Sequence, residues 1–162
     1  MNLQLVPVDE SSIEHLLALM QAYYRYDQLD FEIKKAHQAI LQLLAEDHFG
    51  RIWLISFDGL LVGYLAVTFG FSLEFGGKGA FIDELFILKE HRKQGIGKHV
   101  VQLAEQYLRG QQVLAMHLEV NAEHETAKHF YIAQGFTLRE HFHLMSKELD
   151  GTDKKELIPD LR

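Results

Sequence analysis

Three strand-like segments in succession are the feature that most constrains the fold of this chain. Residues 51–57 and 60–71 are rich in β-branched and aromatic residues, and Asp58-Gly59 between them is a strong hairpin signal. A glycine-rich turn at 76–79 precedes the third segment, residues 80–88. Because the connections are short, the three segments are predicted to form an antiparallel meander.

Helical periodicity occurs on both sides of this meander. Ser11 and Glu14 fit a capping box, after which apolar residues recur at helical spacing. The elements predicted outside the meander are, in chain order, a strand at 3–6, a helix opened by that capping box, a helix at 31–47, a helix ending near Gly110, a strand at 113–120, a helix at 123–134 and a final strand pair at 136–147.

The length agrees with one domain. A chain of 162 residues falls within the roughly 100–200 residues typical of a domain, and no repeat or linker divides it. We expect a single domain over residues 1–149 and a polar C-terminal tail over 150–162. The sequence has no cysteine, which excludes disulfides, thiolate metal sites and a thiol nucleophile, and favours a reducing cytoplasm.

Charge and hydropathy restrict the partners. With 16 basic against 23 acidic residues, the net charge is -7, whereas a general nucleic-acid or anionic-membrane binder would need a basic face. The N-terminus has no signal-peptide pattern, and the longest apolar stretch, 59–71, is shorter than the roughly 18 residues that span a bilayer. We therefore expect a cytoplasmic protein that binds neither nucleic acid nor membranes and whose partner is a cationic small molecule.

A glycine loop within a basic stretch is the most informative functional signal. In residues 89–99, Gly95 and Gly97 open a predicted helix among lysine, arginine and histidine residues. Unpaired amides and the dipole at a helix N-terminus favour a phosphate or pyrophosphate, although a solvated surface loop also fits G-x-G alone. A Rossmann dinucleotide site is a rival, since Glu119 lies roughly 20 residues further on. Val100 at the third glycine position and the antiparallel strands before the loop argue against it.

Motifs around this loop carry a family resemblance. Arg92-Lys93-Gln94-Gly95-Ile96-Gly97 matches the signature R/Q-x-x-G-x-G/A, an acidic hydrophobic strand precedes it at 82–87, and residues 130–136 follow with the pattern F-Y-x-x-x-G-F. With these motifs in this order, the chain resembles the GNAT superfamily of N-acetyltransferases. The resemblance implies an α/β (α+β) fold in which a mixed, mostly antiparallel sheet is flanked by helices and a splayed strand pair binds acyl-CoA.

The resemblance also implies acetyl-CoA as co-substrate. Loop amides would hold the pyrophosphate, and backbone groups of the preceding strand would pair with the pantetheine arm. The implied cofactor positions are Leu85, Phe86, Ile87, Arg92, Lys93, Gln94, Gly95, Ile96, Gly97, Lys98, Asn121 and His124. His124 stands where the family often has an asparagine, so Asn121 is either its substitute or a helix N-cap. The family often dimerises, which is the only basis for expecting a homodimer.

A carboxylate is needed because an amine of reference pKa about 10.4 must lose a proton before it attacks a thioester. Asp83 and Glu84 are adjacent on a predicted strand, which would point them to opposite faces and leave only one facing the substrate. The resemblance implies Asp83 as a water-linked base, with Glu84 as the alternative. A structural role at the strand end stays open for both.

A donor is needed at the departing CoA thiolate. The resemblance implies Tyr131, since a phenol of pKa about 10 can give a proton or a hydrogen bond to a thiol of pKa about 8.5. The alternative is a core tyrosine on the helical stripe that includes Phe130. Without a cysteine, we expect direct transfer from CoA to the acceptor.

The acceptor site is less defined. Tyr23, Tyr24 and Glu74 are candidates because the resemblance implies that their segments shape the acceptor pocket. His141 and His143 alternate on a predicted strand, but no third ligand stands at metal-binding spacing, and no metal is expected.

The sequence therefore predicts an N-acetyltransferase that acts on an amine, with the acidic net charge favouring a cationic small molecule. Polyamine-like amines and amino-sugars both fit that description. Two alternatives stay open, namely an enzyme that acetylates a peptide or protein amine and a non-catalytic acyl-CoA-binding sensor or scaffold.

Overall fold

A five-stranded sheet forms the centre of the molecule, with its strands in chain order. The computed structural model describes residues 2–149, so the predicted tail at 150–162 lies outside the described residues. The elements are β1 (Leu3–Pro7), α1 (Ile13–Tyr26), α2 (Ile33–Ala45), β2 (Gly50–Phe57), β3 (Leu60–Ser72), β4 (Gly77–Ile87), α3 (Ile96–Gly110), β5 (Ala115–Leu118) and α4 (Glu125–Ala133). Pairing is antiparallel from β1 to β4, and β5 runs parallel to β4. The fold is α+β with a mixed, mostly antiparallel sheet, which confirms the predicted class.

Turn residues set the meander. Asp58 and Gly59 both have positive φ, 48° and 86°, as in the type I′ turn whose twist suits a two-residue hairpin. They join β2 to β3, with Phe57 opposite Leu60. The predicted antiparallel meander is therefore confirmed.

Two apolar clusters hold helices against the two faces of the sheet. On the first, called the α1/α2 face, Leu16 and Ile40 pack with Tyr64 of β3. On the second, called the α3 face, Val100 packs with Val67. All five side chains are at most 3% exposed. Within residues 2–149, no helix combines the length and the apolarity needed to cross a membrane.

A β-bulge interrupts β4 at the pair of carboxylates. The register between β3 and β4 shifts so that Asp83 is an extra residue between Ile82 and Glu84. Ile82 packs on the α3 face before the bulge, and Leu85 packs there after it. Since the alternation of side chains slips by one, Asp83 and Glu84 both lie on the α1/α2 face. The prediction that they point to opposite faces is wrong.

The first helix is capped earlier than predicted. A short 3₁₀ turn at Glu10–Ser12 precedes α1, and its capping box joins Asp9 to Ser12. The Ser12 N–H donates to Asp9 Oδ1 at 3.1 Å, and the Asp9 N–H donates to Ser12 Oγ at 3.0 Å. The predicted pair, Ser11 and Glu14, is displaced because the chain enters the helix through this extra turn.

Among the described residues after α4, up to residue 149, no strand forms, so the predicted final strand pair at 136–147 is wrong. Gly135, with φ 89°, ends α4 directly after the predicted helix end at 134. Beyond it, Phe142, Leu144 and Met145 are 69%, 66% and 91% exposed. A strand pair depends on cross-strand contacts and on burial of one face, not on β-propensity alone. In the described part of the chain, β5 is one of the two edge strands, opposite β1.

Candidate active site

β4 and β5 separate after a short parallel pairing. Gly79–Ile82 pairs with Ala115–Leu118, after which residues 83–87 of β4 continue with no described strand on that side. The side of β4 at residues 83–87 that faces away from β3 is therefore open, and we call this open edge the gap. The acidic pair stands at the point where the gap opens.

Backbone groups of β4 face this gap. The Leu88 N–H donates to the Val62 carbonyl at 2.8 Å, and bonded and non-bonded pairs alternate along an antiparallel ladder. Leu85 and Ile87 are thus in non-bonded pairs and direct their N–H and C=O groups away from β3. An extended ligand in the gap can pair with the Leu85 groups and the Ile87 N–H as an added strand, while the Ile87 carbonyl already accepts a hydrogen bond from Arg92.

The loop after β4 presents a row of free backbone amides. Lys93 and Gly95 have positive φ, 61° and 80°, and α3 begins at Ile96. Among the described residues, the N–H groups of residues 93–98 find no acceptor. Because the positive end of the α3 dipole adds to these donors, the loop suits the oxygens of a phosphate or pyrophosphate.

The two glycines of the loop have different structural reasons. Gly95 occupies the left-handed region, where glycine carries no steric penalty. A Cβ on Gly97 would lie 3.2 Å from the Phe130 ring of α4 and 3.6 Å from the Ile87 side chain. Gly97 therefore lets α3 approach α4 and the end of β4, next to the gap.

The basic side chains of the loop are not equivalent. Lys93 and Lys98 are exposed and are available to a phosphate. Arg92 is engaged, since its Nε donates to the Ile87 carbonyl at 2.7 Å and its guanidinium carbon lies 4.3 Å from the Tyr26 ring centre. Arg92 ties the loop to β4 and to the end of α1.

Other predicted cofactor positions contribute through the backbone. Phe86 and Ile96 are 5% and 1% exposed, so their side chains belong to the core. The Gln94 side-chain amide donates to the Glu90 carbonyl at 3.2 Å and stabilises the loop locally.

Glu84 is held by two tyrosine hydroxyls. Tyr24 of α1 donates to Oε1 and Tyr64 of β3 donates to Oε2, both at 2.7 Å. Burial raises the pKa of Glu84, while these two hydrogen bonds oppose that rise. Burial and the neighbouring Glu84 charge raise the pKa of both tyrosines above the ordinary range, so their hydroxyls remain donors.

Asp83 differs from its neighbour. Its residue is exposed, and no described group donates a hydrogen bond to its carboxylate. Partial desolvation by surrounding atoms raises the pKa of Asp83 with no opposing interaction. The carboxylate is therefore free to receive a proton or an ammonium group.

Tyr131 lies near the same cluster. Its ring contacts Phe130 and Phe136 with ring centres at 4.9 Å and 5.6 Å. Burial raises the pKa of Tyr131 to about 12, which keeps the phenol protonated at neutral pH. Burial and the neighbouring Asp27 raise the pKa of Tyr23, and Glu84 and Tyr131 lie close enough to add to the rise.

A cavity of about 670 Å³ opens on the outer side of β5. Leu118, Val120 and Phe136 line it, and Tyr131 lies on its wall. Asp83 and Glu84 do not line it. Tyr131 therefore stands between this cavity and the tyrosine cluster around Glu84.

The structure does not bring Glu74 to the acidic pair. Glu74 lies in the β3–β4 turn, and its Oε1 accepts a bond from Arg139 Nη2 at 2.8 Å. The path along β4 from Gly77 to Glu84 measures roughly 20 Å at the usual rise per residue. Glu74 is thus a partner of Arg139 and not of the gap.

The turn before α4 uses the Asn121 side chain. Asn121 Oδ1 accepts the Glu123 N–H at 2.9 Å, which forms an Asx turn two residues along. His124 is the N-cap residue of α4 but makes no side-chain cap bond. Within residues 2–149, no three His, Asp or Glu side chains gather as a metal site.

Tyr64 is the one residue of this cluster that the sequence analysis missed. It lies in β3, two residues from Ala66, the partner of Glu84 in the register. A polar aromatic in an otherwise apolar segment, on the strand paired with the acidic strand, was the signal that could have found it.

Comparisons with known proteins agree with this geometry. Residues 13–136 match the model of the acetyltransferase (GNAT) family. No curated protein matches the sequence.

Solved structures give the same fold. An integron cassette protein from the mobile metagenome of Cole Harbour Salt Marsh superposes with a TM-score of 0.79 at 28% identity, over 90% of each chain. An aminoglycoside antibiotic 6'-N-acetyltransferase from Acinetobacter haemolyticus has a TM-score of 0.72 at 20% identity, over 93% of this chain and all (100%) of that one. An aminoglycoside N-acetyltransferase in complex with CoA has a TM-score of 0.76 at 15% identity, over 90% of this chain and 95% of the other. The family model spans most of the chain, from the start of α1 to the residue after Gly135, which ends α4. This protein therefore belongs to the GNAT family of acetyltransferases, which use acetyl-CoA as co-substrate.

Proposed function

We propose that this enzyme transfers the acetyl group of acetyl-CoA directly to the amine of a cationic small molecule. The observation that carries the proposal is the bulge in β4, because it brings the carboxylates of Asp83 and Glu84 to one face at the opening of the gap. Two adjacent negative charges attract an ammonium group.

The residues present fit acetyl-CoA. The free amides of 93–98 suit its pyrophosphate, Lys93 and Lys98 add positive charge, and Leu85 and Ile87 offer backbone groups to the pantetheine arm. When bound, the co-substrate supplies the acetyl thioester. The chain fixes its position, which converts the reaction with the amine into an intramolecular one.

Acceptor activation falls to the acidic pair. Asp83 accepts a proton from the ammonium group, directly or through water, and the neutral nitrogen attacks the thioester carbonyl. A new N–C bond forms as the C–S bond breaks, and the nitrogen loses a second proton, which balances the proton that the departing sulfur gains to become the free thiol. Tyr131 donates a proton or a hydrogen bond to the departing sulfur.

Amine-dependent release of the CoA thiol tests this function. Purified enzyme is mixed with acetyl-CoA and a panel containing a diamine, an amino-sugar and a peptide N-terminus, and thiol is followed spectrophotometrically. Because the chain has no cysteine, it adds no background thiol. We expect release with the cationic small amines.

The panel also separates the alternatives. Release only with the peptide would assign a peptide or protein acceptor. Tight acetyl-CoA binding with no release for any amine would overturn the enzyme proposal in favour of a sensor or scaffold. Homodimer formation and a cytoplasmic location stay predictions of the sequence.

A further inference from the structure

Two tyrosines, Tyr24 and Tyr64, hold the two oxygens of the Glu84 carboxylate. Tyr64 is 1% exposed and Tyr24 is half-buried, and each donates to a different oxygen of the carboxylate at 2.7 Å. A carboxylate offers about four lone-pair sites. Each oxygen of Glu84 therefore keeps capacity for one further donor.

Glu84 forms no ion pair with any described cationic side chain. No described Lys, Arg or His lies within salt-bridge distance of its carboxylate. The charged and titratable groups around this cluster are Tyr23 and Tyr24 from α1, Tyr64 from β3, Asp83 from β4 and, further away, Asp27, Tyr131 and Arg92, whose guanidinium carbon lies 5.5 Å from the Phe86 ring centre. Hydroxyl dipoles, not opposite charges, thus stabilise this partly buried anion.

Asp83 has the opposite environment, since no described group donates to it. Two adjacent carboxylates repel each other, so one of them takes up a proton more readily. That one is the carboxylate that receives no hydrogen bonds, because hydrogen bonds to a carboxylate stabilise its charged form. The difference between the two residues comes from the bulge, which puts them on one face, and from the tyrosines, which reach only Glu84.

We propose that Tyr24 and Tyr64 are positioning residues that hold Glu84 as a fixed anion to bind the acceptor's ammonium group, which leaves Asp83 to take the proton. This inference rests on the proposed function. The proton moves from the acceptor nitrogen to an Asp83 oxygen, and Glu84 keeps its charge throughout. Glu84 then contributes to acceptor affinity and Asp83 to turnover.

Removal of the hydroxyls tests the division. In Tyr24→Phe and Tyr64→Phe, Glu84 loses a donor, so its pKa rises and it becomes neutral at a higher pH. We expect the acceptor KM at pH 7 to rise about tenfold or more in each variant, the usual scale for a hydrogen bond to a charged group. The KM for acetyl-CoA should not change, and the acidic limb of kcat/KM for the acceptor should move to higher pH.

Tyr107→Phe is the matched control. The Tyr107 hydroxyl accepts a bond from Arg51 Nε at 3.1 Å, and its ring packs against Trp53 on the α3 face. This variant also loses one phenolic hydroxyl, but it should keep the wild-type acceptor KM and pH profile. Tyr24→Phe, at the less buried position, keeps the test available where Tyr64→Phe impairs folding.

A measurement that needs no turnover separates this inference from the proposed function. The Glu84 carboxyl carbon is titrated by NMR in wild type and in the two variants. We expect a higher Glu84 pKa in each variant and no change in Tyr107→Phe. Folded variants with unchanged Glu84 titration or unchanged acceptor KM would overturn the positioning role. A wild-type enzyme that releases no thiol with any amine contradicts the proposed function, whatever Glu84 does.

Discussion

Adjacent carboxylates acquire different chemistry from their hydrogen-bond partners. Burial raises the pKa of both Asp83 and Glu84, yet only Glu84 receives hydroxyl donors that oppose the rise. A group that must accept a proton benefits from a raised pKa, whereas a group that must hold a cation benefits from a fixed charge. Sequence position alone does not separate the two roles, since the residues are neighbours of similar chemistry.

Asp83→Asn is predicted to remove the proton acceptor with little change in size. We expect turnover to fall about 100-fold or more, the lower end for general bases, with the acetyl-CoA KM unchanged. Only the ionised Asp83 accepts a proton, so wild-type kcat should decline as pH falls through a value above the ordinary pKa of about 3.9, because partial desolvation raises this pKa.

Steady-state rates from pH 4 to 8 check this, and the acidic limb assigned to Asp83 should be absent from the variant. The outcome that counts against the assignment is an Asp83→Asn enzyme with normal turnover and a normal acidic limb. The base would then have to be another group of the cluster.

Tyr131→Phe is predicted to slow the departure of the thiol. The phenol stays protonated at neutral pH because burial raises its pKa to about 12, so the loss is that of a donor. We expect kcat to fall about tenfold or more while acetyl-CoA affinity, measured by calorimetry, is kept. Tyr107→Phe again serves as the hydroxyl-deletion control. Turnover equal to wild type in Tyr131→Phe would return Tyr131 to a packing role.

Elements that end at characteristic turn residues could be predicted from the sequence, whereas features that depend on the pairing of two strands could not. Asp58-Gly59 determines the β2–β3 hairpin by its own positive φ angles. The bulge at Asp83 comes from the register between β3 and β4, which no local pattern in β4 encodes. The Tyr64–Glu84 contact follows from that same register. The sequence therefore predicted the identity of the acidic site but not its common face.

The glycine loop gives a prediction at the scale of an element. Gly95→Ala places a side chain in the left-handed region, at a cost of about 1–2 kcal/mol, and Gly97→Ala places a Cβ at 3.2 Å from the Phe130 ring. We expect both variants to raise the acetyl-CoA KM and to lower Tm by several degrees. Adding Phe130→Leu to Gly97→Ala should restore its Tm and acetyl-CoA KM, because the smaller side chain makes room for the new Cβ. Adding it to Gly95→Ala should restore neither.

Thermal melts and acetyl-CoA titrations of the two single and two double variants measure this coupling. Equal effects of Phe130→Leu on both glycine variants would show that Gly97 acts through the loop backbone and not through its contact with α4.

Across the whole molecule, charge is sorted by position. The net charge of -7 argues against broad anionic partners. In the structure, exposed Lys93 and Lys98 lie beside the free loop amides, and Asp83 and Glu84 lie at the opening of the gap. The proposed function places an anion site and a cation site next to each other on this chain. The wrong prediction of a strand pair at 136–147 also concerns the whole molecule. A strand at the edge of a sheet forms only where a neighbouring strand pairs with it and one of its faces packs against the rest of the protein.

The segment after α4 supplies the last prediction. Residues 136–149 make few backbone hydrogen bonds. One of them joins the Phe142 N–H to the Arg139 carbonyl at 3.1 Å, and the Leu144 side chain is exposed. Amides without such bonds exchange through local fluctuations, whereas those of β2 and β3 require opening of the sheet. We expect peptides from 136–149 to exchange hydrogen orders of magnitude faster than those from β3 in mass-spectrometric measurements. The contrary result is slow exchange in this segment that becomes fast when His117 of the edge strand β5 is replaced by proline. That result would show that the segment pairs with β5 in solution and would reinstate the predicted strands.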